Sequence, residues 1–256
     1  MRVEASPFDA QHYGLPIVRL VREPGDGPAA LDAAISTARR ERHAVVFVRL
    51  AGDDPLRDAL HAAGHAPVDT LITSTLGPER PAISRSAKLA PELAPGLAPR
   101  LAPGLTIERH ARLADPADIA AVAAITGEAM RTSHLHADPR LPADRTRALY
   151  AAWATNDVTG RAQHTLVARA GGALIGYLAV VTAPHAAMID LIAVAAAWRG
   201  RGAGAALVGG FVDWIAGRPI TATVGTQADN PALRLYRRCG FVPTATHVTY
   251  HLWLDG

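Results

Sequence analysis

Through the first third of the chain, short apolar and β-branched runs alternate with alanine-rich stretches of helical period. The runs PIVRLV (16–21), HAVVFVRL (43–50) and APVDTLITSTL (66–76) read as strands, with GPAALDAAISTARRER (27–42) and DPLRDALHAAG (54–64) as helices between them. This alternation predicts a small α/β domain over residues 1–88. After residue 105 the course is longer. Strand LTIERHA (105–111) leads to an Ala-rich helix opened by Asp115 and Pro116, an N-cap and first-turn pair. A polar loop, TSHLHADPRLP (132–142), precedes helix ADRTRALYAAWA (143–154). Strands QHTLVARA (163–170), ALIGYLAVV (173–181) and AAMIDLIAV (186–194) come next, the last two close enough to pair across TAPH. WRGRGAG (198–204) opens helix AALVGGFVDWIAG (205–217), and strand TATVGTQ, helix PALRLYRRCG and the closing strand FVPTATHVTYHLWL (241–254) follow. The order predicts a mixed α/β domain over residues 105–256 with a largely antiparallel front half.

Between these parts, residues 89–104 read LAPE LAPG LAPR LAPG, with proline at every fourth position. Proline removes a backbone donor and restricts its predecessor, so neither a helix nor a central strand is expected there. The segment reads as a linker which, extended as polyproline II at ~3.1 Å per residue, spans at most about 50 Å.

Composition narrows the possibilities. With 256 residues, 49% hydrophobic and 19% charged, the chain can bury a sizeable core and is not a disordered tail. Its apolar stretches stop short of the roughly 18 uninterrupted residues of a membrane helix, and its N-terminus lacks an apolar signal core, so a cytoplasmic location without a membrane partner is expected. The net charge of +3 is dispersed in single residues, which argues against a nucleic-acid partner. Cys239 is the single cysteine, excluding an internal disulfide and a Cys-based zinc site. Neither HxxxH nor HExxH spacing occurs among His134, His136, His164 and His185, and no metal is expected.

The chemistry-bearing segment is WRGRGAG. Glycines between an apolar strand and a long helix let the backbone N–H groups of Arg201, Gly202 and Gly204 approach a phosphate, and the helix start adds partial positive charge. A P-loop is excluded because Ala205 and Ala206 stand where Lys and Ser or Thr are required. Gly200, Gly202 and Ala205 loosely match the dinucleotide fingerprint, but several strands precede them and the next strand ends without an acid.

Strand LIAV, then Arg199-x-x-Gly202-x-Gly204, then Asn230, Leu235-Tyr236 and Gly240-Phe241 together resemble the GNAT acetyltransferases. The resemblance implies a mixed α/β GNAT-fold catalytic domain, preceded by the small α/β domain, with acetyl-CoA as cosubstrate. The backbone of Leu191, Ile192 and Val194 is then expected to pair with the pantetheine arm. Arg199, Gly200, Arg201, Gly202, Ala203 and Gly204 would hold the pyrophosphate, with Asn230 also on the cofactor, and Tyr236 would protonate the departing sulfur. Ala196 stands where the family has proline, and Asn230 precedes Tyr236 by one residue fewer than in the family pattern. Met188 occupies the position of the strand glutamate found in histone-modifying relatives, so Asp190, two residues on, is the candidate general base.

Residues 6–20 and 54–76, together with SHLHADPRLPADRTRALYAAW and GTQADNPALRLYRRCGF, are similar in order to the TDP-fucosamine acetyltransferases. This implies a nucleotide-linked amino sugar as acceptor, with His134, His136 and Asp138 meeting it. Another small amine, a peptide N-terminus, or a non-catalytic acyl-CoA-binding role stays open, as does a homodimer.

Overall fold

The computed structural model describes residues 1–78 and 104–254; nearly all of the LAPx repeat, 89–103, lies outside them. The chain divides into two compact units that interleave in sequence.

The first unit comprises Met1–Ile72, Thr132–Leu149 and Ala245–Gly256. It contains β1 (Arg2–Ala5), α1 (Pro7–Tyr13), β2 (Ile17–Val21), α2 (Pro28–Arg40), β3 (Val45–Ala51), α3 (Leu56–Ala62) and the start of β4 (Asp69–Leu76). A one-turn helix α5 (His134–Ala137), the first half of α6 (Ala143–Asn156) and most of β10 (Val242–Trp253) also belong to it. Its strands run in the order β1-β2-β3-β10-β4. Strands β2 and β3 are parallel, joined by α2, while β10 lies antiparallel to β3 from His247↔Ala51 to Trp253↔Val45. Alternation along β10 sends Val248, Tyr250 and Leu252 into a core with Val18, Leu20, Val46, Val48 and Leu50, closed by Leu31 of α2 and Leu60 of α3.

The second unit comprises Thr73–Arg131 and Tyr150–Thr244. Its further elements are β5 (Leu105–His110), α4 (Pro116–Ala129), β6 (His164–Ala170), β7 (Ala173–Ala183), β8 (Ala186–Val194), α7 (Ala203–Ile215), β9 (Thr221–Gln227) and α8 (Ala232–Arg238). The order is β4-β9-β8-β7-β6-β5. Strands β5 to β8 form an antiparallel meander, the β7–β8 hairpin closing at Ala183↔Ala186, and α7 makes the crossover that parallel β8 and β9 require. Asp115 caps α4 through its carboxylate, which accepts from the Ala117 amide at 2.9 Å, with Pro116 in the first turn. Leu166, Leu178, Val180, Leu207, Phe211 and Val224 pack the core on the α7 side.

These units are not the contiguous spans 1–88 and 105–256 expected from the sequence. The closing strand completes the core of the first unit, and residues 132–149 go with it. Strand β1 and helices α1 and α5 are additions to the predicted elements, each too short to show a clear period.

Candidate functional site

In the second unit, two irregularities of β8 create unpaired backbone. Strands β8 and β9 pair only from Ala186↔Thr221 to Ile189↔Val224, although β8 runs on to Val194 and β9 to Gln227. From Asp190 onward the β9 side of β8 is open, while the other side stays paired with β7 as far as Gly176↔Val194. On that side the register shifts between Ala179↔Leu191 and Val180↔Ile189, leaving Asp190 as the extra residue of a bulge, a feature that re-aims a side chain. The open stretch contains Leu191, Ile192 and Val194.

The cradle follows directly. A single 3₁₀ turn at Ala196–Trp198 leads to Arg199, whose Nε donates to the Val194 carbonyl at 3.0 Å and clips the loop to the strand end. Gly200 and Gly202 take φ of +73° and +87°, and Gly202 is the N-cap of α7. A side chain is disfavoured in this left-handed region. Among the described residues, none of the amides from Gly200 to Ala205, including those of Arg201, Ala203 and Gly204, donates to a backbone carbonyl. Unsatisfied N–H groups at a helix start, with no Cβ on three of them, suit an anion. A Cβ on Gly204 would lie 3.5 Å from the Leu235 side chain and 4.0 Å from that of Val194, so this glycine brings α8, α7 and the end of β8 together.

Tyr236 lies on α8, 3% exposed, its ring edge-to-face with Phe241 at 6.0 Å. Burial, with a smaller contribution from neighbouring Cys239, pushes its phenol well above the usual tyrosine range. Among the described residues nothing is seen to hydrogen bond the hydroxyl. Asn230 has a structural duty: its Oδ1 accepts from the Ala232 amide at 2.9 Å and starts α8.

Asp190 is the centre of a polar cluster. Its Oδ2 accepts from Trp153 Nε1 at 2.9 Å and from Arg161 Nη2 at 2.6 Å. Arg161 also approaches Asp157, with Nε 3.1 Å from Oδ1. Asp157 is fully buried, and neither of its oxygens has a well-aligned hydrogen-bond donor. Burial and then the charge of Asp190 push the Asp157 carboxyl up to about 8, against the opposing pull of Arg161. Tyr177 of β7, fully buried and bonded to Thr126 of α4 at 2.8 Å, is raised by burial and by both carboxylates. Met188, in contrast, is 41% exposed.

The second unit thus brings together Asp190, the open edge of β8, the cradle, Asn230 and Tyr236. The three residues expected to meet an acceptor fall in the first unit. Asp138 is buried there, its Oδ2 accepting from His251 Nδ1 at 2.7 Å and Trp253 Nε1 at 2.9 Å, and its Oδ1 from the Arg140 amide at 2.9 Å. His134 Nδ1 lies 2.8 Å from His251 Nε2, and His136 Nδ1 lies 2.9 Å from Ser133 Oγ. Sequence reasoning missed Asp157, Arg161, Trp153 and His251. Only the i,i+4 spacing of Asp157 and Arg161 is visible in the chain, and it says nothing of Asp190.

Residues 125–241 match the family described as the acetyltransferase (GNAT) family. The spore coat polysaccharide biosynthesis protein SpsD of Bacillus subtilis (strain 168) is 30% identical over 141 residues, covering 54% of this chain and 49% of that protein. The chain therefore spans about half the length of this curated relative. A GCN5-related N-acetyltransferase from Sphaerobacter thermophilus superposes with a TM-score of 0.61 at 16% identity, over 99% of this chain and 76% of that one. A tandem GNAT protein from the clavulanic acid biosynthesis pathway gives 0.61 at 19% identity, over 95% and 77%. These likenesses show the fold. Among the described residues no helix is long and apolar enough to cross a membrane.

Proposed function

We propose, from the match of residues 125–241 to the acetyltransferase (GNAT) family, that this chain transfers the acetyl group of acetyl-CoA to the amine of a nucleotide-linked amino sugar. The observation that carries the reading is the end of β8–β9 pairing at Ile189, which leaves β8 open up to Val194, with a glycine-rich helix start of unsatisfied amides beyond the strand end. The amides from Gly200 to Ala205 would hold the pyrophosphate, and the open backbone at Leu191, Ile192 and Val194 would hydrogen bond the pantetheine amides. Acetyl-CoA, when bound, supplies an activated acyl carbonyl and a thiolate leaving group. Asp190, at the head of the open stretch, takes the proton of the acceptor ammonium, and the Tyr236 hydroxyl donates to the departing sulfur. The sugar class is supported by the sequence resemblance and by the polysaccharide role in the name of the Bacillus relative.

Thiol release from acetyl-CoA tests this with dTDP-4-amino-4,6-dideoxygalactose, spermidine and a short peptide as acceptors. Turnover of the nucleotide sugar alone is expected, and preference for another amine would sink the sugar assignment. Gly202→Ala, placing a Cβ at φ +87° at a conformational cost of ~1–2 kcal/mol, should weaken acetyl-CoA binding about tenfold or more. Unchanged affinity in the folded variant would remove the cradle.

A further inference from the structure

Two buried carboxyl groups face a single guanidinium in the second unit. Asp190 has two donors on one oxygen, Trp153 Nε1 and Arg161 Nη2, and neither reaches its Oδ1. Asp157, on the turn Asp157–Arg161 that follows α6, is fully buried with no well-aligned donor for either oxygen. A carboxylate stripped of water and of hydrogen bonds is costly, and a second one beside it more so. With both ionised the cluster carries two negative charges against the one positive charge of Arg161. One proton shared between the carboxyls removes the excess and supplies Asp157 with its missing hydrogen bond. The other polar groups packed on the cluster do not change this count: Tyr177 of β7 is neutral and bonded to Thr126 of α4, and Trp153 of α6 is a donor only.

We propose that Asp157 and Asp190 share one proton and that Asp157 is thereby the positioning residue that sets when Asp190 can accept a proton from the acceptor. The inference rests on the acetyltransferase reading for its catalytic part only. In the doubly ionised pair, an N–H bond of the acceptor ammonium breaks and an O–H bond forms on Asp190. Asp157 then accepts a hydrogen bond from the new carboxyl group, and the freed amine lone pair attacks the thioester. The proton later leaves to water, and no other reactant is consumed. With one proton already shared, the pair is a poor base, so transfer should rise with pH towards about 8, where burial and Asp190 place the ionisation of Asp157.

Asp157→Asn keeps a donor for Asp190 but removes the shared proton. The rising limb of kcat/KM should then move to lower pH by at least about one unit, because the ionisation of Asp157 no longer limits proton transfer. Infrared difference spectroscopy of the native chain reads the pair without any acceptor. The carbonyl stretch of one protonated carboxylic acid should persist at pH 7, disappear as pH rises through about 8, and be missing at pH 7 from both Asp157→Asn and Asp190→Asn. Absence of that stretch in the native chain above pH 6, or its survival in both variants, overturns the shared proton even if the variants misfold. A limb left in place in folded Asp157→Asn overturns the catalytic part. A stretch behaving as expected in a chain that acetylates none of the tested amines upholds the shared proton and rejects the acetyltransferase reading instead.

Discussion

Tyr236 is a core side chain whose hydroxyl has no hydrogen-bond partner among the described residues. Its ring is packed against Phe241 on a core helix, burial disfavours the phenolate, and no neighbour among the described residues takes its proton. A phenol in that state keeps its proton at neutral pH and can donate a hydrogen bond to negative charge developing on a sulfur brought within reach. Tyr236→Phe keeps the ring and deletes the donor, so kcat should fall by roughly 10²–10⁴ with acetyl-CoA affinity nearly unchanged. Steady-state kinetics with isothermal titration separate the two quantities, and a variant retaining most of its turnover would show that the sulfur leaves unaided. The sequence singles this residue out because its neighbours Leu235, Gly240 and Phe241 form a local motif, and its role as the acid is the proposal that this variant tests. Asp157 was not legible, because its partner Asp190 is 33 positions away and meets it only through the folding of β8.

At the scale of elements, the segment containing α5 illustrates the same divide. Its histidines and Asp138 looked like ligand groups in a polar loop; β10 ties His134 and Asp138 into a buried network, while His136 contacts Ser133 of its own segment. Phe47 stacks on His251 at 4.2 Å, and Arg140 covers Trp253 at 4.0 Å. Burial holds the His134 and His251 imidazoles below the usual histidine range, His251 despite the opposing bond to Asp138. For Asp138, burial alone would raise the carboxyl, but the bonds from His251, the Arg140 amide and Trp253 together lower it. With both rings neutral, His251 Nδ1–H donates to Asp138, and its Nε2 accepts from His134 Nδ1–H. The sign follows from linkage: below pH ~6.5 the unfolded chain binds protons that these rings refuse, so stability is full above that pH and declines as pH falls, by at most about 2.7 kcal/mol per unit for two rings. Asp138 adds a further loss below pH ~4 in the same direction. Thermal melts of the native chain should therefore shift downward between pH 7 and 5. His134→Gln, which retains a donor to His251, should flatten part of that slope, and an identical slope would show that His134 takes up its proton as freely when folded.

For the molecule as a whole, element types were readable from periodicity and their grouping was not. The run FVPTATHVTYHLWL reads as one strand wherever it pairs, since alternation specifies faces and carries no information on which neighbour covers them. Only the structure shows Val248, Tyr250 and Leu252 filling the core built by β2, β3, α2 and α3, with Thr132–Leu149 in the same unit. The first unit consequently lacks a contiguous stretch of chain that could fold alone. Leu252→Ala should cost about 2–5 kcal/mol, the range for a buried leucine whose site cannot collapse, even though residue 252 lies about 200 positions from the β3 residues it packs with. A fragment ending at residue 88 would lose β10 entirely, exposing Val18, Val46, Val48 and Leu50 together with the hydrogen-bonding edge of β3. Such a fragment should show neither a cooperative melt nor protected amides on β3 by hydrogen exchange, and adding a peptide of residues 242–254 in excess should restore protection to Val46, Val48 and Leu50. A fragment that melts cooperatively without the peptide would mean that the first 88 residues form an independent domain after all, with β10 a late addition to a core already closed.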